Sequence, residues 1–211
     1  MTTAPSTHST LHEPASAVAW LQSCGAKRLV TDSRRIGGSD ALKTAFIAWP
    51  GAAVDGRQFI PAALSNGATC ALMEAEDAPQ ALSDKPCTRG YLGLKAASGQ
   101  IASEFYESPS KLLSIVAITG TNGKTSSSWW LAEALSNLPA PYTTPCAVVG
   151  TLGTGLIGAI ENNGLTTPDP VLLQERLKAF LSMGCKAVAL EASSIGIAEG
   201  RLNGTQIHTA V

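Results

Sequence analysis

Short apolar runs alternate along this chain with stretches whose apolar positions recur at helical spacing. Ala45-Phe46-Ile47-Ala48-Trp49 is an apolar run closed by Pro50-Gly51, as a buried strand would be. Residues 59–64 read as a helix ended by Asn66-Gly67, residues 69–73 as the next strand, and residues 96–106 as a helix leading to a junction at Ser108-Pro109-Ser110. Beyond the junction, residues 112–118 are β-branched and almost continuously apolar, the pattern of a strand covered on both faces. A Gly-rich turn and a helix over 125–138, stopped by Pro139, follow. Asp169 can cap a further helix with Pro170 at its first position, and Leu173, Leu177, Phe180 and Leu181 fall on one face of it. Gly184 closes that helix, residues 187–190 read as a strand, and residues 207–211 as the start of another. Strand–helix alternation with no hairpin signal predicts an α/β fold in which helices wrap a parallel sheet.

The expected organisation is a small α/β domain over 21–108 followed by a parallel-sheet, phosphate-loop ATPase-type domain over 109–211, incomplete at Val211. The first dozen residues, Met1 to His12, are polar and lack a cationic start followed by an apolar core. They are expected to be no signal peptide but the beginning of a disordered tail reaching to about residue 20.

Composition narrows the function. A chain of 211 residues with 45% apolar residues, mean hydropathy +0.13 and 15% charged residues suits a packed soluble protein, not a self-repelling disordered one. A formal net charge of -1 with no basic block argues against nucleic acid as partner, and no run approaches the ~18 apolar residues of a spanning helix. The five cysteines, Cys24, Cys70, Cys87, Cys146 and Cys185, are odd in number and irregular in spacing. That fits neither a disulfide framework nor a zinc site, so they are expected to fill apolar space in a reducing, cytoplasmic compartment.

The strongest chemical signal is Thr119-Gly120-Thr121-Asn122-Gly123-Lys124-Thr125, set between a buried strand and a helix. Glycines let backbone N–H groups approach phosphate oxygens, and the helix start adds partial positive charge. Lys124 would reach the β- and γ-phosphates of ATP, and the Thr125 hydroxyl would ligate Mg²⁺. The usual phosphate-loop pattern has a further Gly five positions before Gly123, where this chain carries Ile118. A second element is the apolar strand 187–190 ending in Glu191. At the C-terminal edge of a parallel strand that carboxylate could hold Mg²⁺, or could cap the next turn.

Taken together with Thr31-Asp32-Ser33-Arg34, residues 55–61, Gly150-Thr151-Leu152-Gly153, Thr166-Thr167-Pro168-Asp169-Pro170, Glu191-Ala192-Ser193-Ser194 and Gly200-Arg201, this ordered set resembles the Mur ligases. Within that family the Thr-Thr-Pro-Asp-Pro run is most similar to the members that add the third peptide residue to UDP-N-acetylmuramoyl-L-alanyl-D-glutamate. The resemblance implies three domains: one for the UDP-sugar, a central ATPase, and a C-terminal one for the incoming amino acid, which would lie beyond Val211. It implies an acyl phosphate, formed from ATP on the D-glutamyl γ-carboxylate and attacked by the amine of meso-diaminopimelate or L-lysine, in peptidoglycan synthesis and hence cell shape and division.

Carried over residue by residue, Thr31 and Ser33 match positions near the uridine nucleotide, and Gly120, Thr121, Asn122, Gly123, Lys124, Thr125 and Ser126 match the ATP loop. Lys124 and Glu191 would be catalytic, with Thr125 and Glu191 holding Mg²⁺. Thr166, Thr167, Ser193 and Arg201 match positions contacting the muramoyl dipeptide. Plainer roles stay open: a turn before Pro168 for the threonines, a helix cap for Ser193, and a solvated charge for Arg201. Ile195 and Glu199 depart from the His and Gln that many relatives carry. The expected partners are the UDP-muramoyl dipeptide, ATP and an amino acid, with no nucleic acid or membrane, in a monomer that is inactive without the missing domain. Alternatives are a D-alanyl-D-alanine-adding ligase, a folate-type glutamate ligase, and a non-catalytic nucleotide-binding module.

Overall fold

Four short strands, β1 (Arg28–Val30), β2 (Thr44–Ala48), β3 (Cys70–Glu74) and β4 (Thr88–Tyr91), pair in that order, all parallel, with Ala45 beside Cys70 and Ala71 beside Thr88. Every residue of β2 and β3 is buried, which is why both read as continuous apolar runs. Helices α1 (Pro14–Ser23), α2 (Ile60–Ser65) and α3 (Gln80–Ser83), with a 3₁₀ turn over Gly56–Phe59, supply the covering layers. Phe46, Ala48, Ile60, Ala63, Ala71 and Met73 form a continuous core. Helix α4 (Leu94–Phe105) follows β4.

This computed structural model describes residues 10–162 and 164–211 and separates into two compact units, the first ending at Ile101 and the second running from Ala102 to Val211. Among the described residues no helix is long and apolar enough to cross a membrane. The tail expected over residues 1–20 needs correction where it is described. Leu11 bridges Tyr91, and α1 begins at Pro14, because proline at the first helical turn sacrifices no hydrogen bond and Ala17 and Leu21 bury on the sheet. Residues 1–9 lie outside the described residues.

In the second unit β5 (Ser114–Ile118), β6 (Cys146–Gly150), β7 (Gly153–Leu156), β8 (Ala159–Glu161), β9 (Ala187–Glu191) and β10 (Thr209–Ala210) form one sheet in the order β10-β5-β9-β6-β7-β8. Helices α5 (Lys124–Ser136) and α6 (Pro170–Ser182) lie on opposite faces, and alternate residues of β9 divide between them. Val188 and Leu190 join Leu173, Leu177 and Phe180 of α6, whereas Ala187 and Ala189 join Ala132 of α5. The short methyl side chains on the α5 face let that helix come close to the strand that carries Glu191.

Two expectations are corrected here. The sheet is mixed: β6 continues into β7 and β8 as an antiparallel meander, with Gly150 opposite Gly153 and Thr154 opposite Glu161. Its tight turn at Thr151-Leu152 lacks the Asn-Gly or Asp-Gly signature that would have marked a hairpin. The strand expected from Leu112 begins at Ser114, because Pro109–Lys111 forms a 3₁₀ turn and the Leu112 amide bonds back to Pro109, leaving Leu112 exposed.

Candidate active site

The loop after β5 is shaped by two glycines in the left-handed region, Gly120 at φ 124° and Gly123 at φ 80°. L side chains rarely adopt such angles. Gly123 is the residue before α5, so the chain turns directly into that helix, and residues 119–123 are exposed. The Lys124 ammonium folds over the loop and donates to the carbonyls of Gly120 (2.7 Å) and Thr121 (3.4 Å). Thr121 and Asn122 form the loop's crest, and Ser126 is exposed on the first turn of α5.

Glu191, the last residue of β9, is 1% exposed and the best-buried carboxylate of this unit. Its Oε2 accepts from the Thr125 hydroxyl (2.9 Å) and from the Thr151 hydroxyl (3.1 Å), and its Oε1 from the Thr151 amide (2.9 Å). The carboxylate thus ties the phosphate-loop helix to the turn after β6. Gly150 makes the space for it: a Cβ there would overlap the carboxylate and stand 2.8 Å from Glu191 Cγ. Thr151 had no assigned role from sequence. The Gly-Thr-Leu-Gly run was visible, but only the parallel pairing of β6 with β9 brings Val149 beside Leu190 and the following threonine to Glu191.

The second cluster lies at the same sheet edge. Thr167 is wholly buried; its hydroxyl donates to the Glu191 carbonyl (2.7 Å), accepts from the Ser193 amide (3.0 Å) and lies 3.0 Å from Ser193 Oγ. Arg201 donates to the Thr167 carbonyl at 3.0 Å, so it is no freely solvated charge. Ser193 caps α7 (Ser194–Ala198) through the Gly196 amide, and a Cβ on Gly196 would stand 2.7 Å from Thr167 Cβ. Thr166, half-buried, meets the Thr151 hydroxyl at 3.0 Å. The Thr167 hydroxyl and carbonyl are thus engaged by Glu191, Ser193 and Arg201 within the protein. Ile195 is 66% exposed on α7 and Glu199 follows that helix's end.

Thr31 and Ser33 belong to the first unit, in a cleft of about 550 Å³ lined also by Asp32, Arg34, Val54, Gly56 and Phe59. Asp32 caps the turn over Ser33–Arg35 and pairs with Arg34 at 2.7 Å, and those hydrogen bonds hold its carboxyl below the usual range. Half-exposed Phe59 and Val54 give the wall an apolar surface.

Mg²⁺ favours oxygen ligands, commonly one or two carboxylates completed by phosphates and water. A buried carboxylate flanked by two hydroxyls beside a phosphate-type loop fits that donor set. Among the described residues no group of three or more His, Cys, Asp or Glu could hold a metal without such outside ligands.

Residues 118–211 match the Mur ligase middle domain. The chain is 49% identical over 199 residues to the UDP-N-acetylmuramoyl-L-alanyl-D-glutamate–2,6-diaminopimelate ligase of Acidovorax sp. (strain JS42), covering 92% of this chain and 39% of that protein. It is 40% identical to the protein of the same name from Janthinobacterium sp. (strain Marseille), covering 93% and 38%. A solved structure of a ligase of that name superposes with TM-score 0.68 at 31% identity, over 88% of this chain and 35% of the other. The chain thus spans less than two fifths of the length of these relatives.

Proposed function

This chain belongs to the Mur ligase family, and from that premise we propose that it carries the ATP-handling and UDP-sugar-binding parts of a ligase that joins diaminopimelate to UDP-N-acetylmuramoyl-L-alanyl-D-glutamate. The observation that carries the reading is the buried Glu191 carboxylate bonded both to Thr125, directly after Gly123-Lys124, and to Thr151. A free carboxylate is a poor electrophile, and phosphorylation turns one of its oxygens into a leaving group. Catalysis then rests on positioning and on neutralising phosphate charge.

In this reading the loop amides from Gly120 to Ser126 and the Lys124 ammonium, leaving its loop carbonyls, receive the ATP phosphates. Glu191 and Thr125 hold Mg²⁺, which would supply charge neutralisation between the phosphates. Thr166, Thr167, Ser193 and Arg201 face the dipeptide, with Thr167 also bonded to Ser193 and Arg201. Thr31 and Ser33 contact the uridine nucleotide, with Phe59 offering an aromatic surface. Diaminopimelate is preferred to lysine as the added residue because the relatives at 49% and 40% identity carry it in their names. The muramoyl dipeptide, ATP and the amino acid are the partners, in a cytoplasmic monomer whose complete ligase activity requires the rest of the protein.

The test is thermal unfolding of the purified chain with UDP-N-acetylmuramoyl-L-alanyl-D-glutamate, and with UDP-N-acetylglucosamine as control. A ligand binding only the folded state adds about 2.7 kcal/mol at 100 times its dissociation constant. A higher midpoint with the dipeptide compound alone is expected. A cooperative transition moved by neither would overturn the muramoyl reading.

A further inference from the structure

A line of hydrogen bonds runs through the second unit from Thr125 by way of Glu191 and Thr151 to Thr166, and its protons give it a direction. Glu191 Oε2 accepts from Thr125 Oγ1 at 2.9 Å and from Thr151 Oγ1 at 3.1 Å, while Oε1 accepts from the Thr151 amide at 2.9 Å. The Thr151 hydroxyl also meets the Thr166 hydroxyl at 3.0 Å. A threonine hydroxyl has one proton to donate and two lone pairs to accept with, and a charged carboxylate only accepts. Thr151 donates its proton to Glu191, so the contact between the two hydroxyls is filled by the proton of Thr166. The hydroxyl of half-buried Thr166 is thereby turned inward and offers only lone pairs to anything outside.

A cation held by Glu191 and Thr125 needs a lone pair of Oε2, which already receives two protons. One of them must turn away. The Thr151 bond is the longer of the two, and its hydroxyl has a second acceptor at hand in Thr166 Oγ1. Turning the Thr151 proton from Glu191 to Thr166 reverses that contact and frees the Thr166 proton to point outward. We propose that Thr151 is a positioning residue coupling the phosphate and cation end of the site to the dipeptide end. With Glu191 free of a cation, Thr166 presents lone pairs; with Glu191 engaged, it presents a donor to a carboxylate of the dipeptide. Every proton stays on its own oxygen, and only hydroxyl torsions change. The inference rests on the ligase reading for the identity of the two ligands.

The neighbouring threonine lacks this property. Thr167 Oγ1 donates to the Glu191 backbone carbonyl at 2.7 Å and accepts from the Ser193 amide at 3.0 Å, partners that a cation on the carboxylate leaves as they are. The change at Thr151 is confined to its hydroxyl, because its amide bond to Oε1 keeps the carboxylate in place while the hydroxyl turns. A coupling free energy is reciprocal: the factor by which Mg·ATP tightens the dipeptide is the factor by which the dipeptide tightens Mg·ATP.

The experiment measures binding of UDP-N-acetylmuramoyl-L-alanyl-D-glutamate to the full chain by calorimetry, with and without Mg²⁺ and a non-hydrolysable ATP analogue. The converse titration adds the analogue with and without the dipeptide compound. In the wild type each ligand should tighten the other by the same factor, about tenfold, inside the roughly 5- to 150-fold range of coupled sites. Thr151→Val keeps the shape, removes the hydroxyl and should bring that factor close to unity, while Thr151→Ser should retain it. Thr166→Val removes the far end of the line and should abolish the coupling too, which decides the matter should Thr151→Val not fold. Because the factor is a ratio, a change in either separate affinity does not imitate its loss. Coupling of wild-type size in either valine variant would overturn the proposal, as would a wild type that binds both ligands independently. A folded wild type that binds neither ligand would remove the ligase reading and this inference with it.

Discussion

At Gly150 the absence of a side chain is what admits a carboxylate. Gly150→Ala drives a methyl group into Glu191, and overpacking of this kind costs about 1–3 kcal/mol. The displaced carboxylate should also weaken Mg·ATP binding, which thermal unfolding with and without the nucleotide would read. A full nucleotide-dependent shift in the variant would refute the role given to Glu191. Asp55 offers a pH test in the first unit. Its carboxylate pairs at 2.8 Å with Arg57, a buried guanidinium that also donates to the carbonyls of Glu74 and Glu76. The side-chain hydrogen bond from Arg57 lowers the Asp55 pKa below its unfolded value of about 3.9. The stabilisation is thus fully present above the unfolded pKa and is lost as pH falls through the depressed folded one. Asp55→Asn should be less stable near neutrality and show a shallower loss of stability on acidification; parallel acid-unfolding curves would exclude it.

Among the elements, α6 is the most completely written in sequence. Asp169 accepts from the Val171 and Leu172 amides at 3.0 and 3.1 Å, Pro170 occupies the first position, and Leu173, Leu177 and Phe180 bury on the sheet. Gly184 ends the segment at φ 83°. Asp169→Ala removes the cap and should cost about 1 kcal/mol, lowering the melting temperature while leaving nucleotide binding in place. The meander from β6 to β8 was not legible in the same way. Its strands are short, its turn lacks hairpin residues, and Gly153 and Gly155 would have marked weak strand formers. Both glycines adopt positive φ, and a Cβ on Gly155 would stand within 3.3 Å of the β8 backbone at Ile160, so close packing selects them there.

For the molecule as a whole, each unit has its own core and its own candidate ligand surface. Amide hydrogen exchange should reflect this division. Mg·ATP should slow exchange at 119–127 and around Thr151, and the UDP-muramoyl compound at 31–35 and 54–59. Protection by Mg·ATP confined to the first unit would contradict the assignment of the loop.

Local chemistry already specified much of this protein by itself: the buried strands β2, β3, β5 and β9, the capped helix α6, the phosphate-type loop and the order of motifs resembling the Mur ligases. These depend on near neighbours in the chain, where apolar period, caps and glycines act within a few residues. Only the tertiary structure decided which residues meet across it. The pairing of β6 with β9 brings Thr151 to Glu191 across 40 positions, and the close of the sheet edge turns Thr167 inward. Strand register sets these meetings, and register follows from packing of the whole sheet against its helices, which no local window contains.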